Sequence, residues 1–357
     1  MRKLGLRELK DVVIGAGLLG AGGGGSTAEG MKLAERVLSF GPCVELAQCE
    51  EIADHDWGAV IAGVGSPSAS LQRVRTHSPG FALELLESTC SFKSSFVIPF
   101  ETGAGNSLNP MLAAVQRRIP IVDGDPVGRA VPELQMTTFS LACIPLSPLA
   151  LATEDGTTVV IRAVKAIDTE RISRAITAEM GGVSAIACHA MRGRDMKDAV
   201  IPGTTTLAER LGRAIRQAQS ARRDVIESLF CVMPGCLLGR GEITSLRAET
   251  KGGFDFGVAE VDGDLPLRVL YKNENMLAFR GEELAAIVPD LICSIDDEGN
   301  PLTNADLRQG MKISYLGFPA SAGFRTPAAF DLFHPILEAL GYHGGFVPLE
   351  KLPANVR

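Results

Sequence analysis

The stretch "VVIGAGLLGAGGGGSTAEG", Val12 to Gly30, constrains the fold of this chain more than any other. It contains Gly15-x-Gly17-x-x-Gly20 and then four consecutive glycines, Gly22 to Gly25. Glycines at this density permit close backbone approach and φ values that other residues resist. Three designs use such a run: a dinucleotide-binding turn, the apolar part of an export signal, or a bend whose amides cradle an anion.

The first two fit poorly. A dinucleotide turn follows a strand and is answered by an acidic residue about 20 positions later. Only "DVVI" precedes the glycines, "LRELKDVVIGAGLLGAG" suits a helix as easily as a strand, and Glu45 falls late. NAD or flavin is therefore not the expected cofactor. Arg2, Lys3, Arg7 and Lys10 imitate the charged start of a signal peptide, but Glu8 and Asp11 interrupt it and glycine dominates the apolar part. The third design gains from Ser26-Thr27-Ala28-Glu29, a capping box that starts a helix directly after the bend. A tight turn where a helix packs on a sheet is the plain alternative.

At 357 residues the chain exceeds the usual growth limit of a single core, so two domains are expected. Residues 1–165 read as an α/β domain and 166–357 as an α+β domain, β-rich after about 235. A net charge of −7 argues against a nucleic-acid surface, and Arg213 to Arg223 reads as a solvated helix face. No apolar run reaches the roughly 18 residues of a membrane span. Eight cysteines, with Cys143, Cys188 and Cys293 inside apolar runs, suggest reduced core residues and a cytoplasmic location. Cys231-x4-Cys236 lacks the second pair a zinc site needs.

The first third alternates two periods. "AVIAGVG" (59–65), "SSFVIPF" (94–100) and "IPIVD" (119–123) read as buried strands, separated by helical stretches including "NPMLAAVQRR", with Asn109 as cap and Pro110 at the first helical position. Strand, helix, strand at this spacing implies a mainly parallel sheet. Then "DTERISRAITAEMGG" and "TLAERLGRAIRQAQSARRDVIESLF" read as amphipathic helices around the strand "VSAIACHA". Beyond Gly235, strand-length segments cut by Gly-Gly and Asp-Gly turns suggest antiparallel pairing, finished by a helix at "FHPILEALG".

Ligands in open parallel sheets sit outside the carboxyl ends of the strands. Those ends deliver Gly65-Ser66-Pro67, then Glu101 to Asn106, then Asp123-Gly-Asp125-Pro-Val-Gly-Arg129 with Glu133 beyond. Asp123 and Asp125 around a glycine can hold a divalent ion or orient a water, and crowding should raise one of their pKa values. Arg129 can offset that charge or grip a carboxylate through its planar fork. "DGDPVG" also reads as a simple turn. His189, closing an apolar strand, could reach an interdomain cleft and assist a metal; a solvent-facing or hydrogen-bonded strand-end histidine is the plainer alternative. In the second domain Lys251, Asn273 and Glu274 are candidates to complete the cleft, though hairpin turns explain them equally well.

"LLGAGGGGS", "ETGAGN", "DGDPVGRAVPELQMTTF", "IPGTTTLAERLGRAI", "TKGGF", "NEN" and "VPDLIC" occur in the order typical of the DUF917 proteins. The chain resembles this S-methyl thiohydantoin desulfurase family, associated with hydantoinase and oxoprolinase systems, from about residue 8 to about 340. The resemblance implies a two-domain, metal-assisted hydrolase that removes sulfur or a methylthio group from C2 of a thiohydantoin. It carries the site onto Asp123, Asp125, Gly128, Arg129 and Glu133. In the family the glycine run usually ends in an acidic residue; Ser26 stands there in this chain.

The resulting expectation has Asp123 or Asp125 activating water, directly or through one divalent ion held with His189. Gly22, Gly23, Gly24, Gly25, Ser26, Glu101 and Asn106 would bind substrate or developing anion. Arg129 would steady that charge and Glu133 would protonate a ring nitrogen or the departing sulfur. A cyclic ureide or thiohydantoin is the expected ligand, with a homo-oligomer or a hydantoinase-type partner as the expected assembly. A non-catalytic partner subunit and an NAD-dependent enzyme are the competing readings.

Overall fold

The computed structural model describes residues 1–65 and 76–352, so the Ser66-Pro67 loop lies outside the described residues. The described residues build two eight-stranded sheets and a two-stranded ribbon.

The first sheet holds β1 (Arg2–Leu4), β2 (Val44–Ala47), β3 (Trp57–Gly65), β4 (Phe96–Pro99), β5 (Ile121–Val122), β7 (Leu149–Ala152), β8 (Thr158–Ile161) and β9 (Val183–Arg192). Its order is β1-β2-β5-β4-β3-β9-β7-β8. The four strands β2, β5, β4 and β3 run parallel, as the βαβ spacing predicts. β1 and the β9-β7-β8 group extend them antiparallel. Both faces are covered: Ile61, Val97 and Ile121 enter one hydrophobic layer, Val60, Ile98 and Val122 the other. Double burial explains why these strands read as continuous apolar runs. Between β5 and β7, β6 (Gly124–Asp125) pairs with β10 (Ile201–Pro202) as a separate ribbon.

The second sheet is entirely antiparallel. It comprises β11 (Cys236–Lys251), β12 (Phe254–Leu265), β13 (Leu267–Lys272), β14 (Glu274–Arg280), β15 (Glu283–Ile287), β16 (Leu291–Asp296), β17 (Pro301–Leu302) and β18 (Lys312–Phe318). Gly252-Gly253 turns the long β11–β12 hairpin, with both glycines at positive φ. Asp262-Gly263, expected as a turn, lies inside β12 where the register slips against β11. It is a bulge.

The opening glycines divide into two groups. Gly15 and Gly17 belong to a helix, Leu6–Leu19. A helix, not a strand, leads into the Gly22–Gly25 bend. A Cβ on Gly15 would sit 1.8 Å from the carbonyl oxygen of Ala208, and one on Gly212 would sit 1.8 Å from that of Asp11. These glycines let the opening helix press backbone to backbone on the helix Thr204–Ser220. Arg216 seals the contact with paired 2.7 Å bonds from Nε and Nη2 to the buried carboxylate of Asp11. Part of the Arg213–Arg223 face is therefore an interhelical ion pair. Gly15→Ala should cost about 2 kcal/mol despite alanine's better helix propensity, because the obstructing atom is backbone and cannot rotate away. Urea unfolding would measure it.

Three further expectations change. The stretch read as one long helix is two, because Asp224 starts a second, Val225–Val232, by accepting from the amides of Ile226 and Glu227. Asn109 does not cap its helix; its Nδ2 donates to Gly105 O at 3.1 Å while Leu108 takes the cap position. Cys143 is exposed, whereas Cys188 and Cys293 are buried. No helix among the described residues is long and apolar enough to cross a membrane.

Candidate functional site

The two domains meet around a cavity of about 420 Å³. The first domain lines it with Gly22–Ser26, the end of β3, Glu101, Asn106 and Glu133. The second contributes Arg174, residues of the β11–β12 hairpin, Asn273, Glu274 and the loop Thr303–Arg308. Lys251 is exposed and stands outside this lining.

The glycine bend is the hub. Three carbonyls along it are spent on neighbouring loops: Ala21 O accepts from Asn275 N at 2.8 Å, Gly22 O from Asn304 N at 2.8 Å, and Gly24 O from Gly105 N at 3.0 Å and Asn106 N at 3.2 Å. Its amides are not. Gly23 N donates back to Gly20 O at 2.9 Å, whereas the N–H groups of Gly22, Gly24, Gly25 and Ser26 meet no acceptor among the described residues. Ser26 caps the helix Thr27–Leu38 as the sequence predicts, its Oγ accepting from Glu29 N at 3.1 Å. Free amides at a helix start form a partial positive charge that suits an anion. Gly24 needs its glycine twice: its φ is +74°, and a Cβ would stand 2.6 Å from Gly103 Cα.

Opposite the bend lie two carboxyls from different domains. Glu101 follows β4 and is 4 % exposed; Glu274 opens β14 and is 3 % exposed. Glu101 Oε1 accepts from Asn106 Nδ2 at 2.7 Å and Oε2 from Val131 N at 2.8 Å. Asn106 is oriented by Gly63 N, which donates to its Oδ1 at 3.0 Å. Glu274 Oε2 has no hydrogen-bond partner among the described residues. Gly23 makes room for this side chain, since a Cβ there would fall 2.0 Å from Glu274 Oε1. Burial pushes the Glu101 carboxyl up to about 7, and burial together with the charge of Glu101 drives Glu274 well above the carboxylate range. Both carboxyls of this pair therefore keep their protons to higher pH than free carboxyls do.

Of the expected acids, Glu101, Glu133 and the second-domain candidate Glu274 reach the cavity, and so does Asn273. Glu133 is ion-paired with Lys272 and accepts from Gln135 Nε2. Lys272 Nζ in turn stands 3.9 Å from the ring centre of Phe254, near the tip of the β11–β12 hairpin, and Arg174 covers the same ring at 4.0 Å. These cations hold the hairpin against the first domain.

Asp123 and Asp125 are corrections. Both are buried and lie outside the cavity lining. Asp123 holds the start of the helix Thr204–Ser220, accepting from Thr206 N at 2.9 Å, from Thr206 Oγ1, and from Gln48 Nε2 at 3.0 Å. Asp125 closes its own turn, accepting from Val127 N at 2.7 Å, Gly128 N at 2.6 Å and Thr102 Oγ1 at 2.6 Å. Burial, and not the crowding expected between the two aspartates, raises the Asp125 pKa, and the side chain stands outside the cavity lining. Of the two readings of "DGDPVG", the turn is the one observed.

Arg129 is also redirected. It is fully buried, and its guanidinium donates only to carbonyls: Ala130 at 3.0 Å, Pro289 at 3.2 Å, Asp290 at 2.9 Å and Asn275 at 3.1 Å. Three of these belong to the second domain, so Arg129 ties the halves together and does not grip a ligand. His189 is fully buried against the edge of Phe139 with Nδ1 3.1 Å from Ile144 O, and burial pushes its pKa down to about 4. A divalent ion at Asp123 and Asp125 does not fit these donors, whose oxygens are committed to protein N–H and O–H groups. No group of three His, Cys, Asp or Glu among the described residues is arranged to hold a metal.

An α/β layer joined to an antiparallel sheet, with an acidic cavity at the seam, defines a two-domain protein with a cleft between its halves. Residues 7–163 match the S-Me-THD-like N-terminal domain and residues 164–349 the S-Me-THD-like C-terminal domain. The chain belongs to the S-Me-THD-like family, the S-methyl thiohydantoin desulfurase family its motifs suggest, and that membership supports a thiohydantoin desulfurase-related function. It is similar to a crystal structure of a protein from Chromobacterium violaceum, with a TM-score of 0.85 and 26% identity over 98% of this chain and 100% of that one. No curated protein matched.

Proposed function

We propose that the cleft hydrolyses the C2–sulfur bond of a thiohydantoin-like ring, leaving a hydantoin. The observation that carries this reading is the Glu101–Glu274 pair: two buried carboxyls of raised proton affinity facing a bend of unspent amides. Family membership supplies the ring; the pair supplies the acid and the base.

For an S-methyl ring, water attacks C2. Glu101, ionised, takes one water proton, while Glu274, protonated, gives its proton to the ring nitrogen as the C2=N electrons move there. The tetrahedral adduct carries hydroxyl, methylthio and N–H. Collapse expels the sulfur, which takes the proton held by Glu101, and the hydroxyl proton returns to Glu274. The products are methanethiol and a hydantoin carbonyl, with both carboxyls restored. The bend's amides receive negative charge building on sulfur, and Asn106 holds Glu101 in line. For a ring with unsubstituted sulfur, water attack moves the C2=S electrons onto sulfur, which takes the Glu274 proton; on collapse that thiol leaves with the proton held by Glu101 as hydrogen sulfide, and the hydroxyl proton returns to Glu274.

The test is thiol release from an S-methyl thiohydantoin, with chromatography of the ring product. Release at the uncatalysed rate would end this reading. No step passes through a metal, so dialysis against a chelator should leave turnover within about twofold, measured in the same assay.

A further inference from the structure

The geometry points to Arg308 as a specificity residue that selects rings bearing a carboxylate on the C5 substituent. This rests on the hydrolytic reading for the identity of the ring, though not for the charge it recognises.

Two arginines line the cavity among the described residues. Arg174 is spent: Nε donates to Glu170 at 2.6 Å, Nη2 to Pro132 O at 3.1 Å and Nη1 to Gly253 O at 3.3 Å. Arg308 is not. Its Nη1 donates to Ala305 O at 2.7 Å and Leu307 O at 2.6 Å, and its remaining nitrogens, Nε and Nη2, have no partner among the described residues. Nε–H and Nη2–H form one edge of the guanidinium, the parallel pair of donors that matches a carboxylate. Asp306 in the same loop does not compete, because its Oδ2 accepts from Thr303 N at 2.9 Å and Thr303 Oγ1 at 2.6 Å. The cation thus has a fixed anchor on one side and an open fork on the other.

The loop that carries it is bolted to the reaction centre. Asn304 N donates to Gly22 O at 2.8 Å, and Asn304 Nδ2 donates to Asn273 O, beside Glu274, at 2.7 Å. Arg308 therefore keeps a set position relative to the glycine bend and the carboxyl pair. A cavity of about 420 Å³ lies in the range that encloses drug-sized ligands, so a bare five-membered ring would leave space for a substituent. C5 of such a ring bears the side chain of the parent amino acid. An acidic one, as in rings derived from aspartate or glutamate, would bring a carboxylate to a cation that has no ion-pair partner among the described residues.

Arg308 is exposed at the cavity mouth, so water screens the pair and moderates its effect. The test compares two hydantoins, C5-carboxyethyl and its uncharged carboxamidoethyl analogue, for binding by calorimetry to the full chain and to Arg308→Gln. Tighter binding of the acid by about tenfold, falling to near parity in Arg308→Gln, is the expected result. Arg308→Lys should keep only part of the preference, because an ammonium cannot reproduce the fork. Equal binding of the two ligands by the wild type, or a preference that survives Arg308→Gln, would overturn the proposal. The matching S-methyl rings are assayed in parallel. Failure of every ring to turn over would count against the hydrolytic reading alone, since the binding comparison needs no chemistry.

Discussion

Glu101→Gln should lower kcat by about a thousandfold and leave the fold intact. The amide keeps the shape of the side chain and can still accept one of the two hydrogen bonds that reach it, from Asn106 Nδ2 or Val131 N. It cannot take a proton. In the wild-type protein, kcat/KM should rise with pH through about 7 as Glu101 ionises, then fall where Glu274 loses its proton. Stability should move the other way. The folded state raises the Glu101 pKa, so this group's contribution to stability is fully present below the unfolded value and is lost as pH climbs through about 7. Glu101→Gln, which removes that ionisation, should flatten the decline of Tm between pH 5 and 8. A pH–rate profile together with thermal melts across the same range would check both. Unchanged turnover in Glu101→Gln would remove the pair from the mechanism.

Arg129→Ala is expected to be the most destabilising single change, by about 3–5 kcal/mol. It strips three second-domain carbonyls, those of Asn275, Pro289 and Asp290, of their donor in a place water does not reach. It also withdraws the positive charge that holds down the proton affinity of Glu101 and Glu274. Arg129→Met, which restores volume without charge, should recover part of the stability. In that variant the rising limb of the pH–rate profile should move to higher pH. Denaturant melts of both variants, with the rate profile of the methionine form, separate the structural loss from the electrostatic one.

Much of the fold was legible because burial on both faces writes itself as short apolar runs. β3, β4, β5 and β9 sit where "AVIAGVG", "SSFVIPF", "IPIVD" and "VSAIACHA" place them. The opening helix was ambiguous for the same reason. Leu9, Val12, Val13, Ala16, Leu18 and Leu19 are all buried, so no polar face marks the helical period.

The site was half legible. The glycine bend, Glu101, Asn106 and Glu133 came from a rule about strand ends, and all of them line the cavity. Asp123 and Asp125 obeyed it too, yet their partners settle their role, and the amide of Thr206 lies 83 positions away in sequence. Nothing local distinguishes a carboxylate that caps a distant helix from one that meets a ligand. Glu274 was among the second-domain candidates and lines the cavity, but a hairpin turn explained it equally well; the sharper signal is an acidic residue heading a strand whose first five residues are buried, where an ionised group would have to be desolvated.

The placement of β9 has a consequence for how this protein must be made. The strand Val183–Arg192 is wedged between β3 and β7, which come from earlier in the chain. A fragment ending near residue 163 would display two raw sheet margins and invite self-association. A gene split at that seam would yield pieces that mature only when produced together, with the later piece acting as the template that closes the earlier one.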